Sequence, residues 1–225
     1  MARSLSIAAY LASLGSADGH STPVTHPRRP VGIIIWARCS NPDQLTAVET
    51  LERKLSAEGD PIHVIATLHK WQPEHASRAL PEPRGKDSIR KFIGHWQPAM
   101  CIWISGDLDA LLMTEIRKAG LLSILVDATS DGLETVAGRW VPGAIRSLLS
   151  EFEAIWALDQ QAADRLLRAG APEERILITG AMEDCAPTLP CNEAERSELA
   201  RAIGTRPVWL TAAAQLEEWR DLCTA

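Results

Sequence analysis

Apolar residues in this chain fall into two alternating patterns. Short continuous runs occur at 32–36 (GIIIW), 62–67 (IHVIAT), 100–104 (MCIWI), 122–126 (LSILV), 154–158 (AIWAL) and 175–179 (RILIT). Runs of this length, rich in Ile, Val and Leu, suit strands buried on both faces. Between them the apolar spacing becomes helical. Asn41-Pro42 offers an N-cap with proline at the first helical position, and Leu45, Val48, Leu51 and Leu55 follow up to Gly59. Further helices are predicted over 86–96, over 108–119 before Gly120, over 146–152, and over 160–169 before Gly170. Strands alternating with helices in this way predict an α/β fold, a Rossmann-like parallel sheet flanked by helices, over 31–185.

The flanks read differently. Residues 1–30 are expected to be an N-terminal helix and linker. The helix falls at 5–14 (LSIAAYLASL), where a weak membrane-surface contact is preferred to a signal peptide because only Arg3 precedes it as positive charge. The Gly-, Ser- and Pro-rich stretch 15–30 is the linker. Residues 186–225 are expected to be a connector and the start of a truncated second domain. A proline-bearing stretch (CAPTLPCN, 185–192) leads to a polar helix at 193–203 and a strand start at 206–210 (RPVWL). One strand and a stub of helix cannot build a second core.

Composition narrows the classes. With 46% hydrophobic residues among 225, the chain has enough apolar material to offset the entropy of folding. A net charge of −6 argues against wrapping nucleic acid, which needs clustered Lys and Arg. No apolar run approaches the roughly 18 residues of a membrane span. The cysteines (39, 101, 185, 191 and 223) are odd in number and form no C-x-x-C pair, so reduced thiols are expected rather than disulfides or zinc. His63, His69 and His75, spaced by six, read as surface side chains, and no metal site is expected. The G-x-G-x-x-G and G-x-x-x-x-G-K-[ST] loops are both absent.

Four collinear blocks then carry a resemblance. RPVGIIIWARCSNPD (29–43) resembles the segment R-P-x-G-x-L-[IV]-W-x-H-A-A-S-V-G-E of the 3-deoxy-D-manno-octulosonic acid (Kdo) transferases. FIGHWQPAMCIWISGDL (92–108) is similar to their F-L-x-H-W-R-P-D-x-x-[IL]-W-x-E-x-E-L-W-P. ILITGAMED (176–184) and GTRPVWLTAAAQLEE (204–218) are similar to V-x-V-T-G-N-L-K-x-D and G-x-R-P-V-W-L-A-A-S-T-H-x-G-E-E. The resemblance implies the N-terminal, acceptor-binding half of a GT-B glycosyltransferase. The family reaction is transfer of Kdo from CMP-Kdo to a lipid A precursor in lipopolysaccharide biosynthesis. It runs at the cytoplasmic face of the bacterial inner membrane without a cofactor or required metal. The donor half would come from a separate donor-domain protein.

The same resemblance nominates site residues. The family base, the glutamate closing S-V-G-E, is matched to Asp43 by pairing Ser40, Asn41, Pro42 and Asp43 with that tetrapeptide, which shortens the side chain by roughly 1.5 Å. In the first turn of a helix Asp43 would equally favour the helix dipole. Ser40 and Asp107, the latter also an N-cap for a helix from Leu108, are acceptor-side candidates. Arg84, Lys86 and Arg90, in the compact basic run PRGKDSIRK, are candidates for lipid phosphates. Thr179 and Gly180 are donor-side candidates at a strand end. Other family positions are altered: Asp127-Ala128-Thr129 stands for N-A-R, Glu183 for a lysine, and Ala213-Ala214-Gln215 for S-T-H. The sequence therefore also supports a non-catalytic, lipid- or partner-binding descendant. His95 is expected to be partly buried and hydrogen-bonded, and Trp36, Trp103, Trp156 and Trp209 to pack the core.

Overall fold

The computed structural model describes residues 27–57, 59, 61–105, 108–129, 143–182 and 192–206. The chain divides into two units, Met1–Ala186 and Pro187–Ala225. The first contains a parallel sheet. Its strands are β1 (Ile33–Cys39), β2 (Ile62–Leu68), β3 (Leu80–Pro81), β4 (Met100–Ile104), β5 (Leu122–Ala128), β6 (Ala154–Ala157) and β7 (Ile176–Ile178). Helices α1 (Gln44–Ala57), α2 (Lys86–Trp96), α3 (Ala110–Lys118), α4 (Ala144–Leu149) and α5 (Gln160–Ala169) connect them. In the second unit, α6 spans Glu193–Ile203 and is capped by Asn192, whose side chain accepts from Ala194 N and Glu195 N. Residues 207–210 of the strand expected at 206–210 and the helix expected at 5–14 lie outside the described residues, as does Trp209.

The strand order is β3-β2-β1-β4-β5-β6-β7, all parallel. β1 therefore pairs with β2 on one side and β4 on the other, and the direction of winding reverses there. Side-chain alternation along β1 divides the core between the two faces of the sheet. Trp36 and Trp103 pack with Phe92, Phe152 and Leu166 beneath α2 and α5. Trp36 and Phe92 approach to 4.7 Å between ring centroids, while Trp103 meets Phe152 edge-on at 6.1 Å. On the opposite face Ala37, Cys39, Val64, Leu68, Ile104 and Val126 pack with Leu45 and Val48 of α1.

Three expectations change. Trp156 is 37% exposed on β6 and is not a core residue. Its neighbours Ile155 and Ala157 are buried, so alternation directs the indole to the other face of the sheet, where it borders a groove. The helix expected from Leu108 begins at Ala110. Its cap is Asp109, whose carboxylate accepts from Leu111 N and Leu112 N at 2.8 and 3.0 Å. Strand β3 was not anticipated: it has two residues, one a proline, and adds to the edge of β2 through Thr67 and Leu80. Gly32 is required where the chain enters β1, because with φ +132° a Cβ there would sit 2.0 Å from Pro61 O.

Candidate functional site

Open α/β sheets bind ligands beyond the carboxyl ends of their strands, at the point where strand order reverses. Here that point lies between β1 and β4. A cavity of about 460 Å³ opens there, lined by Asn41, Asp43, Gln44, Thr46, Thr50 and Asp127 among others. The turn from β1 into α1 forms one wall through a reciprocal cap. Gln44 N donates to Asn41 Oδ1, and Gln44 Oε1 accepts from Ser40 N at 2.7 Å and Asn41 N at 3.3 Å. Asp43 is exposed on this wall, and its carboxylate makes no hydrogen bond or ion pair among the described residues. It lies just ahead of α1 rather than inside its first turn.

Across the cavity lie Ile104 and Asp127, near the ends of β4 and β5. Ser105, just after β4, has φ +73° and Asp127, near the end of β5, has φ +49°. Non-glycine residues adopt such angles at a cost of roughly 1–3 kcal/mol each when surrounding structure enforces them. Asp127 Oδ1 accepts from Met182 N at 2.7 Å, tying the segment after β7 to the cavity. Beyond Asp127 lies an apolar groove of about 440 Å³ between α1 and the sheet, lined by Ile35, Leu51, Ile102, Ile124, Val126 and Trp156.

The nominated residues separate in space. Ser40 is half-buried and structural: its Oγ accepts from Arg38 at 2.9 Å and donates to Ile104 O at 3.2 Å. Arg84 and Lys86 are exposed around the start of α2 and do not line the cavity, and Arg84 donates to His69 O. Arg90 is bound to Glu115 at 2.7 Å, which holds α2 to α3. Thr179 and Gly180 border the apolar groove rather than the polar cavity. Asp107 lies outside the described residues, as do Glu183 and the 213–215 triplet. His95 is partly buried and its Nε2 lies 2.9 Å from Pro27 O, as expected.

The sequence reading missed a buried polar chain. Arg38, on β1, is fully buried, and its Nε donates to Glu82 Oε2 at 2.7 Å. Its guanidinium carbon sits 4.6 Å from the Trp103 ring centroid. The other Glu82 oxygen lies 2.9 Å from His69 Nδ1. His69 is thus a partner of a buried carboxylate rather than a simple surface histidine. A signal was available, since an arginine inside a strand buried on both faces needs a partner.

Among the described residues no cluster of His, Cys, Asp and Glu could hold a metal. Cys39 and Cys101 are buried free thiols. Burial pushes the Cys39 thiol up to about 12 and raises Cys101 as well, so neither is a nucleophile at neutral pH. No helix among the described residues is long and apolar enough to cross a membrane.

The family model described as 3-deoxy-D-manno-octulosonic-acid transferase (kdotransferase), N-terminal region, matches residues 19–183. The chain belongs to the Kdo transferase N-terminal domain family. No curated protein sequence matches it. Among solved structures it is similar to one assigned as a UDP-N-acetylglucosamine 2-epimerase from Listeria monocytogenes. That match has 12% identity and a TM-score of 0.50, and covers 83% of this chain and 55% of the other. A UDP-GlcNAc 2-epimerase from Methanocaldococcus jannaschii has 14% identity and a TM-score of 0.48, over 79% of this chain and 54% of the other. The first likeness shows the fold, a Rossmann-like α/β sheet as in the N-terminal half of GT-B proteins. The chain spans about half the length of these structures.

Counted from Trp36 without a gap, the motif W-x-H-A-A-S-V-G-E places its closing glutamate at Gln44 and its histidine at Arg38. Assigning the carboxylate to Asp43 requires a one-residue deletion before Ser40. Both side chains line the cavity, so the two registers nominate the same site with different chemistry.

Proposed function

We propose that this chain is the acceptor-side half of a Kdo-type glycosyl transfer. The polar cavity receives the hydroxyl-bearing end of a lipid A precursor. CMP-Kdo is held by a donor half, at the cytoplasmic face of the inner membrane. The observation that carries this reading is the cavity at the β1–β4 reversal, with an exposed carboxylate, Asp43, on its wall in a chain of this family. A carboxylate there can take the proton as the acceptor hydroxyl attacks the anomeric carbon and CMP departs. Charge on the departing phosphate has to be met by the donor half.

A second reading, a non-catalytic descendant that binds lipid or a partner, is favoured by Gln44. A carboxamide cannot serve as a base, and Gln44 Oε1 is already engaged by two backbone amides. Among the described residues lining the cavity there is no arginine or lysine to meet a phosphate.

The deciding experiment is a mass-spectrometric transfer assay with the full chain, CMP-Kdo and lipid A precursor, with and without the donor half of an active family member. Kdo addition lost in Asp43→Ala supports the transferase. Addition that appears only with Gln44→Glu assigns a catalytic site that the present sequence has lost. No addition in any arm removes the transferase reading.

A further inference from the structure

The polar cavity and the apolar groove adjoin along three shared elements. On α1, Gln44, Ala47 and Thr50 line the cavity, and Leu51 and Leu55 line the groove. On β4, Ile104 belongs to the cavity and Ile102 and Met100 to the groove, while Asp127 of β5 borders both. From Ile104 back to Met100 the strand runs about 13 Å, the reach of an extended alkyl chain of about ten carbons. Leu51, Leu55, Met100, Ile124, Trp156 and Met182 line the groove and all keep accessible surface. A contiguous apolar patch of this kind, unlike single exposed side chains, marks a contact site. At about 440 Å³ the groove also has the size of a small-molecule site.

We propose that the groove binds one alkyl chain of an uncharged, hydroxyl-bearing amphiphile whose head lies in the polar cavity. The inference rests on reading that cavity as an acceptor site, and it narrows the acceptor to one with no phosphate at that end. Charge selects the head. Among the described residues lining the cavity and the groove, the ionisable side chains are Asp43 and Asp127, with no arginine, lysine or histidine. A phosphate or carboxylate head would meet two like charges and no counter-charge. Sugar hydroxyls can donate to both carboxylates and exchange hydrogen bonds with Asn41. Met182 N holds Asp127 Oδ1 at 2.7 Å, which fixes that carboxylate where the polar and apolar surfaces meet. Apolar area alone selects the tail, so chain length sets affinity.

The test is calorimetric titration of the full chain with decyl maltoside, hexyl maltoside and decyl phosphate, each below its micelle concentration. The expected result is one decyl maltoside per chain, with hexyl maltoside weaker by roughly a hundredfold for its four missing methylenes. Decyl phosphate should bind at least tenfold more weakly than decyl maltoside. Trp156→Gln and Leu55→Gln, at partly exposed positions, should each weaken decyl maltoside by roughly tenfold. Asp127→Asn keeps an acceptor for Met182 N and tolerates the left-handed backbone at φ +49°, so it should bring decyl phosphate closer to the maltoside. No binding of decyl maltoside overturns the proposal, as do equal affinities for the two maltosides or for maltoside and phosphate. Wild-type affinity in both groove variants overturns it too. So does a concentration-dependent dimer, seen by sedimentation, that Trp156→Gln abolishes, since a second copy would then fill the groove. No arm uses CMP-Kdo. Kdo transfer without maltoside binding removes the groove proposal alone, and maltoside binding without transfer upholds it while removing the transferase reading.

Discussion

Arg38 and Glu82 lie 44 positions apart in sequence and meet at 2.7 Å, with side chains 1% and 2% exposed. The pair joins the middle of the sheet to the segment between β3 and α2. Trp103 of β4 supplies the guanidinium with a ring face on one side. Burying two charges costs several kcal/mol each, and their attraction repays this only if every polar atom finds a partner. Ser40 and His69 are among those partners.

Removing one member should therefore be worse than removing both. Glu82→Gln is expected to lower stability by about 3–5 kcal/mol, because it removes a buried carboxylate paired to a buried guanidinium. The double variant Arg38→Met/Glu82→Leu should recover most of that loss. Urea denaturation of the three proteins checks this, and a double variant as unstable as the single would contradict it.

Asp109, not its neighbour two positions earlier, closes the amino end of α3. Asp109→Ala should cost about 1 kcal/mol by freeing the amides of Leu111 and Leu112. Asp109→Asn should retain most of it. Thermal melts of the two variants read the difference.

These two cases show how far the chain could be read. Strands and helices of regular period were legible because each carries its own pattern, and 86–96, 100–104, 160–169 and 193–203 match the observed elements. Asp109 was missed because the resemblance placed a tryptophan there and drew the cap to the retained acid. Trp156 has the composition of a core residue, but its exposure depends on which helices cover β6, which is a tertiary fact. Asp43 was brought within reach by the family motif while Gln44 was passed over, and only the turn geometry shows both on one wall. The Glu82–His69 link joins residues 13 apart that share no helical or strand period, so no local pattern could suggest it.

Glu115 gives a pH dependence with a definite sign. Burial works to raise its carboxyl, but hydrogen bonds from Lys118 and Arg90, with their charges, outweigh it and hold the group below its ordinary value. A depressed carboxyl contributes stability above its unfolded value, and that contribution is lost as pH falls through the folded one. Acid should thus loosen the α2–α3 contact, and Glu115→Gln should flatten the acid limb of a stability-against-pH curve. An unchanged limb in the variant would count against the clamp.

Cys39 and Cys101 should resist alkylation in the native protein, since burial keeps both as protonated thiols. Peptide mapping after iodoacetamide treatment is expected to find them modified in proportion to the unfolded fraction along a urea series. Labelling of either one well before the unfolding transition would show that its strand opens locally.

Gly32→Ala should destabilise by more than the ~1 kcal/mol that the same change gains at a compatible position. The new methyl would meet the Pro61 carbonyl at a distance no real contact tolerates, in a backbone conformation that alanine avoids. A chemical-denaturation midpoint equal to wild type would disprove the close approach.

The place of β1 in the sheet also orders events during synthesis. β1 obtains its first neighbour when 62–68 emerges from the ribosome, but its other edge stays open until 100–104 follows. Through that interval the nascent chain carries an apolar strand with one unpaired edge, and Arg38 meets Glu82 only once the segment after 68 has followed. Pausing translation between these points should leave the chain at its most dependent on a holding chaperone.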